Sequence, residues 1–137
     1  MQLSEIVSKE RIIVPMEVAS VEEAVGLLFQ RLEATGALET GVGVRLAGEF
    51  LSGSRGETVR INEWVVLGAL QTDHVEGLTG CLGSAPVPFD LGEQEEGGTA
   101  LVILLLLTPR RVSHLKFLAM PDLSRFFLDK EFAARFR

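Results

Sequence analysis

At 137 residues the chain is long enough for one sizeable hydrophobic core and too short for two, so residues 1–137 are expected to form a single domain. Hydrophobic residues make up 47% and charged residues 23%, the balance of a folded globular protein, which excludes disorder over most of the length. Nineteen acidic against 13 basic residues give a net charge of −6, a field that repels phosphate backbones and anionic lipid and argues against nucleic-acid and membrane-surface roles.

The single cysteine, Cys81, cannot form an internal disulfide, and no charged segment followed by an apolar one opens the chain. A cytoplasmic location is the expectation. The longest apolar run, Ala100 to Leu107, falls well short of the about 20 residues that a membrane helix needs. It reads as a buried strand.

In chain order, Leu3 to Val7 reads as a short helical turn and Arg11 to Val14 as a β-branched strand stopped by Pro15. Ser20 and Glu23 form a capping box. Val21, Ala24, Val25, Leu28 and Leu32 then recur at steps of three and four until Gly36 supplies a stop. A shorter helix is expected from Val44 to Ser52 on the spacing of Leu46, Ala47, Phe50 and Leu51. From Glu57 to Leu70 the pattern turns to strand, with a break at Asn62 between Thr58–Ile61 and Trp64–Leu67. Leu78 to Gly83 reads as a further strand, Pro86 to Phe89 as a bend or edge, and Gly92 to Gly98 as a solvated loop or hairpin tip.

Thr99 to Leu107 lacks the alternation of a half-exposed strand, so it belongs at the centre of a sheet covered on both faces. After Pro109, Leu115, Leu118 and Ala119 resume helical spacing. A pause at Met120 and Pro121 is followed by Leu123, Phe126, Phe127 and a short terminal helix. The order implies a three-layer α-β-α sandwich with a mixed central sheet.

Few chemical motifs survive inspection. No glycine-rich stretch ends in Lys-Ser or Lys-Thr, Leu46 stands where a dinucleotide-binding loop needs glycine, and no G-x-S-x-G elbow is present around Ser54. Asp73, His74 and Glu76 cluster locally but supply too few convergent ligands to define a metal site. No metal or cofactor is expected. Cys81, in an apolar strand without an adjacent base, reads as a core residue. The two histidines, His74 and His114, are the side chains that ordinarily titrate near neutrality. His114 opens a helical segment just beyond the central strand, where ligands bind in open α/β sheets.

Ala19–Leu38, Pro86–Asp90, Leu104–Pro109 and His114–Ala119, followed by LSRFF and EF, stand in an order and spacing that resembles the enzyme IIA domains of the bacterial phosphoenolpyruvate-dependent sugar phosphotransferase system. The resemblance is to the mannitol/fructose and nitrogen-regulatory type and spans Leu3 to Phe136. It implies an α-β-α sandwich with a mixed sheet. It also implies a histidine, in an Ile-Pro-His motif, that accepts a phosphoryl group from a histidine-containing carrier protein and passes it to a IIB domain. A second histidine beside it opens the HL-x-x-L helix, and His114 matches it. When the family's Thr-Asp pair is set on Thr72 and Asp73, the Ile-Pro-His triplet falls on Leu67, Gly68 and Ala69.

Ala69 therefore stands at the phosphoacceptor position, and a methyl group has no lone pair to attack phosphorus. The family's Arg-Glu pair falls on Gly53 and Ser54, with Arg55 close by, and Met120–Pro121 look like an insertion. The resemblance thus implies a degenerate copy. The expected function is a non-phosphorylatable regulatory or partner-binding module, in which His114, Arg55 and Asp73 form an anion or ligand site. A protein partner is expected: a phosphotransferase-system component or a regulated target. The alternative is an active phosphocarrier that uses His114 or His74 in place of the missing histidine.

Overall fold

The computed structural model describes residues 7–52, 56–92 and 98–109. The helical reading at Leu3–Val7, apart from Val7, which is a buried bend, and those from Leu115 onward lie outside them, as do His114 and Arg55.

Five strands form one mixed sheet: β1 (Ile12–Ile13), β2 (Gly56–Arg60), β3 (Val65–Gln71), β4 (Thr79–Asp90) and β5 (Thr99–Thr108), in spatial order β1-β4-β5-β3-β2. β3 and β5 run parallel, as do β1 and β4. The β2–β3 and β4–β5 pairs are antiparallel. The unalternated apolar strand is β5, and it takes the central place its composition required. Its Ile103, Leu105 and Leu107 join one buried cluster, while Val102, Leu104 and Leu106 join another on the opposite face.

The first of these faces is covered by α1 (Val21–Ala34) and α2 (Val42–Leu51). At the start of α1 the Ser20 hydroxyl accepts from the Glu23 amide, half of the expected capping box. Its end has paired bonds, Gly36 N to Glu33 O and Ala37 N to Leu32 O, with Gly36 at φ 83°. That is the left-handed glycine stop foreseen at Gly36.

α2 begins at Val42, two residues before the periodicity suggested, because its cap comes from another element. Gly41 at the N-cap has no side chain, and the Glu33 carboxylate from the last turn of α1 accepts from the amides of Gly41 (3.1 Å) and Gly43 (2.6 Å). Sequence spacing within the helix holds no trace of this.

Two other boundaries differ from expectation. The first strand shrinks to Ile12–Ile13, with Lys9–Arg11 in a 3₁₀ turn. Pro86–Phe89, read as a bend or edge, belongs to β4, which is twelve residues long. The prolines are tolerated because the β4–β5 register shifts between Ser84 and Phe89, and the two-residue β1 pairs only with Leu82 and Gly83. Pro86, Val87 and Pro88 are exposed there.

The second face of the sheet is also withdrawn from water: Leu67, Leu104 and Leu106 are fully buried, and Ile12, Ile61, Leu78 and Leu101 pack against their cluster. The outcome is an α/β fold built on a mixed sheet. Among the described residues no helix is long and apolar enough to cross a membrane.

Candidate functional site

The centre of interest is the carboxyl end of the parallel pair β3–β5. Backbone register sets Ala69 opposite Leu106 on β5 and opposite Glu57 on β2, and sets Gln71 opposite Thr108. Val66 and Leu70 belong to the cluster under the helices, and Val65 and Leu67 to the other. By strand alternation Ala69 therefore faces away from α1 and α2, on the side of Leu67, Leu104 and Leu106. It is buried, at 3% exposure. Gly68, its neighbour, faces the helices, and a Cβ there would meet the Phe50 ring at 2.8 Å.

β3 ends in a turn that carries the polar residues singled out in the sequence. The Thr72 amide donates to the Thr108 carbonyl (2.8 Å), which ties the turn to the end of β5. Thr72 is buried, and its hydroxyl accepts from the His74 amide (3.3 Å). Asp73 and His74 are both exposed in this turn.

His74 does not approach the Ala69 face. Its Nε2 lies 2.8 Å from a guanidinium nitrogen of Arg45 on α2, in the helical layer that covers the opposite side of the sheet. A guanidinium only donates, so Nε2 is the acceptor and its lone pair is occupied by that bond. Neither Trp64 nor Leu70 fills the neighbourhood of Ala69. Trp64 is 46% exposed beyond the start of β3, and Leu70 faces the helices.

Of the residues proposed from sequence, Ala69 is placed on β3 two residues before the strand's end, opposite Leu106, Asp73 is in the following turn, and His114 and Arg55 lie outside the described residues. Among the described residues no group of three His, Cys, Asp or Glu side chains could hold a metal ion. Two participants escaped the sequence reading. Arg45 is 29 positions from His74, with nothing in the spacing to connect them. Thr108 directly follows the apolar run that ends at Leu107, and its state appears only in three dimensions: it is fully buried, and among the described residues its Oγ1 has no hydrogen-bond partner.

The sequence matches no protein-family model and no curated protein. Solved structures do match. The nitrogen regulatory protein IIA-Ntr from Neisseria meningitidis superposes with a TM-score of 0.73 at 20% identity, covering 94% of this chain and 86% of that one. Enzyme IIA mannitol from Escherichia coli, in its complex with phosphorylated enzyme IIB mannitol, gives 0.64 at 18% identity over 90% of this chain and 83% of its own. The crystal structure of IIA mannitol from Escherichia coli gives 0.64 at 17% identity, covering 89% and 83%. The sheet described above, with its helices and its central β5, is thus the fold of phosphotransferase-system enzyme IIA domains of the nitrogen-regulatory and mannitol type.

Proposed function

We propose that this chain is an enzyme IIA-like module that carries no phosphoryl group on β3 and works in the cytoplasm by binding a protein partner. The observation that carries this reading is Ala69. It occupies the position that the resemblance gives to the phosphoacceptor histidine, at the carboxyl end of a strand parallel to the central one, and it is a buried methyl. Phosphoryl transfer through a protein residue needs a nucleophilic lone pair at that point, which neighbouring charges cannot replace.

His74 is a poor substitute, because its ring is engaged by Arg45 on the helical side of the sheet whereas Ala69 faces the other side. The carrier alternative then falls mainly to His114. A partner of the IIB kind is supported by the mannitol IIA structure, which was determined in complex with phosphorylated IIB. In the proposed module His114, Arg55 and Asp73 recognise the partner or a small anion and perform no chemistry.

The test is incubation with phosphoenolpyruvate, enzyme I and the histidine-containing carrier protein, followed by intact mass. The expected result is an unchanged mass. An added phosphoryl group of about 80 Da that disappears in His114→Ala or His74→Ala would overturn the proposal and establish a carrier with a relocated acceptor.

A further inference from the structure

A single side-chain bond joins α2 to the turn after β3, and its chemistry makes it sensitive to acid. A guanidinium nitrogen of Arg45 lies 2.8 Å from His74 Nε2, and both residues are exposed. Arginine has donors and no acceptor and keeps its proton in proteins, so the bond has one direction: Arg45 donates and Nε2 accepts. The ring in this contact is therefore neutral and carries its proton on Nδ1, the tautomer that an unattached histidine adopts less often.

A second proton reverses the contact. Nε2 then carries its own hydrogen, two donors oppose each other, and two positive charges stand at hydrogen-bond distance. Imidazole ordinarily takes up that proton between pH 5 and 8, and the exposed His74 is open to it. The charged neighbours among the described residues act in opposite senses. Arg45 repels a charged ring. Asp73 and Glu76 on the turn, and Glu49 one helical turn beyond Arg45, attract it, and each of the three has an interaction of its own. The backbone of the turn has other anchors: the Thr72 amide is bonded to the Thr108 carbonyl, and Val75 is buried in the cluster under the helices. Opening is thus confined to the His74 ring and the Arg45 guanidinium.

We infer that Arg45 and His74 form an acid-opened clasp between α2 and the turn after β3. Above the range in which imidazole takes up its proton, the clasp is closed and the pair carries one positive charge. Below that range it is open, and two cations turn to solvent on the turn that carries Asp73. This face then changes charge with pH while the fold beneath it is kept. The sign for stability follows: the contribution of the bond is present at high pH and is lost as pH falls through the imidazole range. The clasp stands on the Arg45–His74 geometry and holds whatever partner this face has.

The test reads ring ¹⁵N shifts and melting temperatures of the parent chain, Arg45→Met, His74→Gln and the double variant at pH 8.5 and pH 5.5. The chain has two histidines, so His74→Gln assigns the ring signals. At pH 8.5 the His74 ring of the parent is expected to carry its proton on Nδ1, and that of Arg45→Met mostly on Nε2. Arg45→Met should lower the melting temperature by about 2 °C at pH 8.5 and should not lower it at pH 5.5. Glutamine keeps an accepting oxygen that takes up no proton in this range, so in the His74→Gln background the loss from Arg45→Met should be the same at both pH values. A parent ring protonated mainly on Nε2 at pH 8.5 would overturn the inference. So would an equal loss from Arg45→Met at both pH values with His74 in place, or a pH-dependent loss that persists in the His74→Gln background. The parent tautomer needs no change at Arg45, so it decides the matter even where Arg45→Met does not fold.

Discussion

Gly68 and Cys81 show how single positions constrain this core. The Phe50 ring lies where a Cβ at residue 68 would stand, 2.8 Å from it, and Phe50 is itself fully buried. Gly68→Ala is therefore expected to destabilise the protein by about 1–3 kcal/mol, measured by urea unfolding, because a packed ring has no free direction in which to retreat. Gly83→Ala is expected to cost less. Its obstacle is the Met16 thioether, the flexible end of a side chain that can choose another rotamer. Cys81 has a different consequence. Burial pushes its thiol from 9.0 up to about 12, with Arg31 and Arg11 offsetting only part of the desolvation. The sign follows directly: below pH 9 the thiol is protonated in folded and unfolded chains alike, and above it only the unfolded thiol ionises. The stability contributed by the protonated thiol is thus lost as pH rises from 9 toward 12. Unfolding free energies at pH 8 and pH 10.5 should show this fall, and Cys81→Ala should reduce it. At pH 8 the folded chain should also resist iodoacetamide, since the thiolate is the reactive form.

Among the elements, α2 depends most on a neighbour. Its N-terminus has a glycine cap, and two of its first free amides are bound by Glu33 at the end of α1, so one carboxylate joins the two helices covering the sheet. Glu33→Ala should cost about 1 kcal/mol, as other cap losses do, and Glu33→Gln less because it keeps the accepting oxygen but gives up the charge at the helix N-terminus. Thermal unfolding of the two variants checks the order. A larger loss in Glu33→Gln than in Glu33→Ala would contradict the capping role. The same contact explains Gly43, where a Cβ would collide with the Glu33 carboxylate at 2.7 Å. The turn after β3 is fixed by comparable means: Thr72 ties it to Thr108, and Arg45 from α2 holds His74. The position of His74 is thus decided jointly by a helix and a strand end, and its ring goes to the helical side.

At the scale of the whole molecule, the sheet is organised around β5. This strand has β3 on one side and β4 on the other, with apolar clusters on both faces. β2 pairs only with β3 among the described residues. Amide hydrogen exchange should therefore be slowest in β5 and β3 and faster in β2, since the most protected amides open only with global unfolding. Comparable rates in β2 and β5 would mean that the edge strand is stabilised by something besides its single ladder. The same arrangement puts the end of β3 next to the end of β5, which brings residues 69 and 108 onto one patch of one face although 39 positions separate them.

The local elements were legible because local physics fixes them. Ser20, the three- and four-residue spacing after it, and Gly36 define α1. The continuous apolar run of β5 admits only a central, doubly covered strand. Ala69 as a non-nucleophile is also a fact of sequence, since no fold gives a methyl a lone pair. Tertiary structure decided what depends on partners distant in the chain. Glu33 starts α2 early, a register shift carries β4 through its prolines, Arg45 draws His74 to the helical side, and strand pairing sets Thr108 opposite Gln71, on the same face of the sheet as Ala69. Hydrogen bonds and strand register between remote segments leave no periodic mark on the residues that make them, so only the folded chain shows them.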